Sequence, residues 1–411
     1  MKREVVCRAA ARPHNKLWVG ATAAVCFYGL IAAAEAGRGA IPTFILQPCA
    51  ATLTEEERIG GLEDSDNYLF SEIRGIAGAS SGSSFVLDTH PYSIREYDPE
   101  GTFLRSIGRE GEGPGEYVSP LGLSLMPNGQ LAVWDQRTRR ISVYGRNGEL
   151  DKLVHVNVMA IYADRTFLVG SSGEFYVKIR TSVPRMSDGQ YFTETRANYV
   201  RVAPNGAVLD TLRVPEPMRP RLPESLMILT HSGYRKPFVV ETLYALSPRG
   251  YLVFGSNEAY AFSIMDPTQP VEVRRDDVIG MQVFRSERAQ WQQRVDWSKM
   301  RSGMSFRDVP ARKPAYRDLW VDADGRIWVH RYSEAVRRDE AIPEVVTEGD
   351  PPDITWWEPS VHDVYRPDGS LLHCVTLPDH AEIMASTGDL AWGLVRGSLG
   401  EEQVVRWRIE K

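Results

Sequence analysis

The chain is 411 residues long, with 43% hydrophobic and 25% charged residues, 10 Trp, 17 Tyr, 34 Gly and 26 Pro, enough apolar and aromatic material for a large core broken by many turns. Its formal charge is −6; residues 1–36 hold Lys2, Arg3, Arg8, Arg12 and Lys16 against Glu4 and Glu35, a surplus of +3, so the remainder carries −9. An acidic body has no general attraction for a phosphate backbone, which excludes nucleic acid as an expected partner.

Residues 1–36 read as a targeting segment. A basic stretch ending at Lys16 precedes the uncharged run from Leu17 to Ala34, and Ala34-Glu35-Ala36 then offers an A-x-A cleavage pattern before Gly37. The expectation is a signal peptide and an exported chain, periplasmic or extracellular. The alternative is an uncleaved anchor over residues 17–34, the one route to a membrane that the sequence offers. Cleavage leaves only Cys49 and Cys374, neither a disulfide framework nor a zinc ligand set. Leu46-Gln47-Pro48 lacks the small residues of a lipidation site, and residues 37–51 are expected to be a linker.

From residue 52 to the C-terminus the chain repeats. Six apolar pairs of runs flank turns at Gly82, Gly129, Gly173, Gly250, Gly325 and Gly388. Each pair reads as a β-hairpin, because glycine supplies the positive φ that closes two strands with the correct twist. The second strands are strongly β-prone: Phe85-Val86-Leu87, Leu131 to Trp134, Phe175-Tyr176-Val177, Tyr251 to Phe254, Ile327-Trp328-Val329 and Leu390-Ala391-Trp392. A second hairpin follows most of them, with turns at Gly101, Gly148, Gly206, Pro267 to Pro270 and Gly369. In the first two repeats the second turn glycine follows the first by 19 residues. Two hairpins per repeat make a four-stranded blade, and six repeats predict an all-β, six-bladed propeller of antiparallel blades.

The last repeat is one strand short, because Gln403 to Glu410 supplies only its third strand. An open sheet edge must be covered. Arg58-Ile59-Gly60 followed by Tyr68 has the spacing of Ser106-Ile107-Gly108 followed by Tyr117. Thr52 to Ile59 is therefore expected to be the outer strand of blade six and to close the ring.

Arg105-Ser106-Ile107-Gly108-Arg109-Glu110-Gly111-Glu112-Gly113-Pro114-Gly115-Glu116-Tyr117 and Ala132 to Ile141 resemble the interblade and strand-turn motifs of exported bacterial six-bladed propellers with NHL and TolB-like repeats. The resemblance spans roughly residues 52–410. It implies the fold, and its members include binding scaffolds as well as enzymes, so it carries no particular chemistry. Blades three, four and five depart from it through Ser182 to Arg196, Pro215 to Val239, Asp276 to Pro314 and Glu334 to Ser360. All four belong to the propeller end opposite the glycine turns, and Ser286 to Met300 within the third predicts a short helix.

Catalytic patterns are thin. Gly78-Ala79-Ser80-Ser81-Gly82 matches G-x-S-x-G but leads into a strand where a nucleophile elbow needs a helix. Gly111 to Gly115 carries an acid and a proline and opens no helix, so it reads as an interblade crossover. Asp322-Ala323-Asp324-Gly325 lacks the rest of a calcium loop. His90, His231, His330, His362 and His373 show no metal-ligand spacing. Asp88 and Asp135, at equivalent strand ends, are expected to cap the following loops. The candidate ligand contacts on the insertion-bearing rim are Arg139, Arg180, His330, Arg331, Trp356 and Trp357. The arginines suit an anionic group or structural ion pairs, His330 suits a strand position with a local partner, and the tryptophans suit a sugar or aromatic ligand or the packing of the insertion. No catalytic residue and no cofactor is identified. The expected function is a scaffold binding a small molecule, glycan or protein through this rim. The alternative is a lyase or hydrolase with a divalent metal at the central channel, as lactonase- and lyase-type relatives have.

Overall fold

The computed structural model describes residues 51–61, 65–157, 162–187, 190–214, 237–302, 308–338, 352, 354–397 and 399–411. The expected targeting segment, Cys49 and all of the expected linker but Ala51 lie outside these residues.

Every glycine turn that the sequence marks joins two strands. In chain order, β1 (Thr52–Ile59) is followed by blade one, β2 (Ile73–Gly78), β3 (Ser84–Thr89), β4 (Tyr92–Tyr97) and β5 (Phe103–Ile107). A crossover with two short parallel strands, β6 (Arg109–Glu110) and β7 (Glu116–Tyr117), leads to blade two, β8 (Pro120–Leu125), β9 (Leu131–Asp135), β10 (Arg140–Tyr144) and β11 (Leu150–His155). Blade three is β12 (Tyr162–Val169), β13 (Phe175–Ser187), β14 (Gln190–Val202) and β15 (Val208–Arg213). Blade four is β16 (Thr242–Leu246), β17 (Leu252–Ser256), β18 (Ala261–Ile264) and β19 (Val271–Arg274). The helix α1 (Arg285–Ser302) precedes blade five, which is β20 (Tyr316–Val321), β21 (Ile327–Arg331), β24 (Val361–Tyr365) and β25 (Leu371–Thr376). Its insertion carries the short pair β22 (Val336–Arg337) and β23 (Trp356–Trp357). Blade six is β26 (Ala381–Thr387), β27 (Leu390–Arg396), β28 (Glu402–Glu410) and β1. This is a six-bladed β-propeller of four-stranded antiparallel blades. Among the described residues no helix is long and apolar enough to cross a membrane.

First strands of neighbouring blades face one another, as β8 does β12 and β2 does β26, so they line the central axis. The strand order then puts both turns of each blade, first-to-second and third-to-fourth, at one end of the ring. Second-to-third loops and interblade connections share the other end. The expected loop at 182–196 is instead a continuation of the β13–β14 hairpin, paired from Phe175↔Val202 to Ser187↔Gln190. Val183, Tyr191, Phe192, Thr193 and Thr195 are β-prone, and they carry the ladder past Pro184, which pairs with Thr193 but has no N–H to donate.

The turn end is uniform. The turn glycines hold positive φ, and an Asp or Asn before several of them accepts backbone N–H bonds, as Asp98 does from Glu100 and Thr102. Asp322 works in the same way, accepting from the N–H groups of Asp324 and Arg326 and from the Trp328 indole, which makes its loop a turn. Between blades the core is aromatic. Trp134, Trp328 and Trp392 sit on second strands, while Tyr97, Tyr144 and Tyr365 end third strands four residues before a turn glycine, and all six are at most 2% exposed. Each such ring removes about 150–250 Å² from water, on the order of 4–6 kcal/mol of gross stabilisation. Gly78 lies flat against the Trp392 ring, where a Cβ would collide with it.

β1 closes the ring as expected. It pairs antiparallel with β28 from Thr52↔Glu410 to Ile59↔Val404. Glu56 takes Arg406 and Arg408 across the ladder, and the Arg406 guanidinium reaches on to the carbonyls of Gly82 and Pro99 in blade one, both at 2.7 Å. Glu57 packs against Gly101 of blade one, where a Cβ would strike its carboxylate. Burial is the main cause that pushes the Glu57 carboxyl up to about 7, helped by Asp98 and Glu55 and opposed by Arg406. A raised carboxyl favours the folded state while it stays protonated, and that contribution is lost as pH rises from about 4.5 through 7. Glu57→Gln should therefore raise the melting temperature at pH 8 and leave it nearly unchanged at pH 4.5, measured by calorimetry at both values.

Candidate functional site

Twelve large apolar side chains are exposed among the described residues, and seven of them stand on the connections and insertions of the insertion-bearing end: Leu69, Val240, Ile279, Phe284, Leu399, Met300 of α1 and Val336 of β22. Only Met265 belongs to the turn end, the other four lying on outer strands. Among the described residues the non-glycine positions with positive φ are Arg139, Phe238 and His380, all on connections at the same insertion-bearing end. Backbone strain of this kind persists only where surrounding structure enforces it.

A small satellite core raises this rim above blades four and five. Phe238, Val283, Val295 and Val309 pack together with Trp291 and Tyr332 beside them. The helix contributes little apolar surface, its inward positions being Glu287, Trp291, Val295 and Ser298. A buried ion cluster fastens it. Lys313, 2% exposed, lies 2.8 Å from Glu287 of α1 and 3.1 Å from Glu358 at the base of the blade-five insertion. Its ammonium also stands 5.2 Å from the Phe238 ring centre. Arg317 meets the other oxygen of Glu358 at 2.7 Å and stacks over Tyr332. The Gln290 side-chain amide donates to the Thr355 hydroxyl and accepts from the Thr355 backbone N–H, joining helix and insertion. Sequence reasoning missed this cluster, because its members lie on three separate segments with no shared spacing.

The rim candidates separate into different surroundings. Arg139 is exposed on the β9–β10 loop, with its carbonyl accepting from the Val156 N–H. Arg180 is paired through its backbone in β13, and its side chain lies outside the described residues. Arg331 is buried in an ion pair with Asp363, 3.2 Å away, while that carboxylate accepts hydrogen bonds from Tyr260 at 2.6 Å and Arg275 at 3.2 Å. Trp356 stacks on Phe284 at 5.3 Å, and Trp357 lies under the Arg338 guanidinium at 4.1 Å, which pairs with Asp379 in turn. Thus Trp356 and Trp357 are both half-buried, the first against the residue that precedes α1 and the second against Arg338, which reaches the connection to blade six.

His330 stands beside His362 in the β21–β24 register, their rings 4.3 Å apart and nearly parallel. Burial holds both imidazoles well below their ordinary range, His362 at about 3, with Arg317 adding to the effect on each. Asp88 and Asp135 do more than cap the loops after them. Asp88 accepts from Ser71 and Glu72, and Asp135 from Val118 and Ser119, so each also binds the connection entering its own blade. Among the described residues no three His, Cys, Asp or Glu side chains gather so as to hold a metal ion.

A family model described as a 6-bladed beta-propeller matches residues 61–169, which cover blades one and two and the first strand of blade three. No curated protein matches the chain. Among solved structures, a protein from Bacteroides fragilis described as a candidate exported protein shares 10% identity over 88% of this chain and 96% of its own, with a TM-score of 0.46. Virginiamycin B lyase from Staphylococcus aureus shares 10% over 86% and 99%, at 0.38, and the calcium-binding protein regucalcin from Agrobacterium tumefaciens 12% over 87% and 95%, at 0.37. At such identities the chemistry named for those proteins stays with them.

The ion cluster makes a prediction about the rim. Lys313→Met leaves Glu287 buried without its cation, while Glu358 keeps Arg317, and should cost about 3–5 kcal/mol. Arg338→Ala, which breaks a more exposed pair, should cost no more than about 1 kcal/mol. Chemical denaturation of the two variants measures the difference.

Proposed function

We propose that the chain is an exported, non-enzymatic binding propeller of the NHL and TolB-like kind, which takes a small molecule, glycan or protein partner on its insertion-bearing rim. The observation that carries this reading is the division between the two ends. One end consists of short glycine turns, whereas the other holds the long insertions, the strained non-glycine residues and most of the exposed apolar side chains. Exposed apolar surface costs solubility and is retained where it meets a partner. Arg139, the Trp356 and Trp357 surface and Arg338 add aromatic and guanidinium groups, the side chains that contribute most per contact to recognition. The acidic body, at −9 without residues 1–36, is consistent with partners other than nucleic acid.

Export rests on the basic stretch, the apolar run Leu17 to Ala34 and the A-x-A pattern at residues 34–36. Mass spectrometry of the protein made in its own host should give a chain starting near Gly37. A full-length, membrane-bound species would mean that residues 17–34 act as an anchor.

The rim is tested with a ligand found by screening. Arg139→Ala and Trp357→Ala should weaken its binding by about 1–3 kcal/mol each, while Asn128→Ala and Asn147→Ala at the turn end should leave it unchanged, as read by calorimetry. Loss of binding in the turn-end variants with the rim variants silent would contradict the reading.

A further inference from the structure

The described histidines fall into two groups. His90 and His155 are exposed and His380 is half-buried, whereas His330, His362 and His373 lie on β21, β24 and β25, three neighbouring strands of blade five. His330 is directly opposite His362, and Val364, two residues on, is opposite His373, so the three side chains share one face of the sheet. Trp328, Val364 and Val375 of that face pack on Ile383, Ala391 and Ile409 of blade six, which makes it the seam between blades five and six. The seam satisfies these rings poorly. His330 and His362 stack at 4.3 Å and both approach Ser360 Oγ through Nε2 at 3.1 Å. Among the described residues, His362 Nδ1 has no hydrogen-bond partner, and neither does either ring nitrogen of His373, which is 5% exposed.

We propose that the seam between blades five and six is an acid-sensitive joint, closed while His330, His362 and His373 are neutral and opened when they take up protons. An imidazolium needs an acceptor for each of its two N–H groups, and the seam offers the three rings one shared hydroxyl. Two charged rings stacked at this distance also repel. The surrounding charges add to the repulsion. Arg317 of β20 and Arg331 of β21 stand near the stacked pair, and their carboxylate partners, Glu358 and Asp363, are already engaged. Asp318 of β20, in register with His330, is exposed, where solvent screens it. Near His373 lie Arg326 and Arg366 of blade five and, from blade six, Lys411 and Asp389, which meet each other at 3.5 Å. Burial is the first cause that holds all three rings below the ordinary 6.5, His362 at about 3, His373 at about 4 and His330 well down. The open joint therefore binds more protons than the closed one. Its closed state is fully favoured above about pH 6.5 and loses that advantage as pH falls toward 4, each ring shifting the balance by up to about tenfold per pH unit. Glu57, at the seam between blades six and one, works in the opposite direction, so acid loosens one side of blade six and tightens the other. The rim crosses this joint, because Ser360 ends the blade-five insertion and Arg338 of the insertion holds Asp379 on the connection to blade six. Any effect on a rim ligand rests on the binding reading, whereas the joint itself does not.

The test is hydrogen exchange read by mass spectrometry on the chain as purified from its own host, without ligand, at pH 7.5 and 5.0, with rates corrected for the intrinsic pH dependence of amide exchange. An opened seam leaves blade five without one packed face. Amides of residues 327–331, 361–365 and 371–376 should then lose at least about a thousandfold more protection than those of residues 131–135 and 140–144 in blade two. His362→Gln and His373→Leu should each cut that extra loss by about thirtyfold, the share of one ring between pH 6.5 and 5.0. His373 makes no side-chain hydrogen bond among the described residues, so His373→Leu has none to lose and keeps the test decisive if His362→Gln does not fold. An unchanged melting temperature at pH 8 verifies the fold of each variant. Equal loss of protection in blades two and five, or an undiminished extra loss in folded His373→Leu, would overturn the inference. No readout involves a rim ligand, so the joint and the binding reading fail separately.

Discussion

The structure depends on one ladder, that between Thr52–Ile59 and Glu402–Glu410. A propeller of antiparallel blades has no covalent reason to close, and its last blade is one strand short until the start of the body returns to it. The pairing joins residues about 350 positions apart, so its loop-closure entropy is offset only when the whole ring forms. The side chains at this seam fit that role. Arg406 holds the carbonyls of Gly82 and Pro99 while meeting Glu56, which links blade six, the closing strand and blade one through a single guanidinium. Glu57, pressed against Gly101, makes the same seam sensitive to pH.

Closure of the ring leaves the two ends with different freedom. At the turn end, glycine conformations and side-chain acceptors such as Asp98, Asp322 and Asp368 satisfy the backbone locally, and little room remains for variation. At the other end the connections are bound to the blades at a few points, through Asp88, Asp135 and Asn257. Long segments can leave and return without disturbing the ladders. The satellite core under α1 uses this freedom. A helix with few apolar contacts is held there by the charge pairing of Glu287, Lys313 and Glu358, an arrangement that specifies position more than it adds stability.

The repeat made the fold legible in the sequence. The 19-residue spacing of turn glycines, the β-prone second strands and the missing last strand each report a local rule that the tertiary structure obeys, and the helix at 285–302 declared itself by composition in a β-rich chain. The site was far less legible. Arg331 reads as a rim cation until the register puts it beside Asp363, and that register is set across an insertion of almost thirty residues. The same insertion hides the pairing of His330 with His362. Lys313 gives no signal at all, because a lysine next to a proline in a connection looks solvated until the segments that bury it are in place. Strand ends and side-chain directions followed from local chemistry, whereas contacts between connections did not.

Native-state hydrogen exchange read by mass spectrometry tests the closure of the ring most directly. If β1 is an integral strand of blade six, the amides of residues 53–59 exchange with the same protection as those of β27 and β28, by one cooperative opening. Rapid exchange of residues 53–59 while β27 and β28 stay protected would show a ring that stands without its closing strand, and would contradict this account.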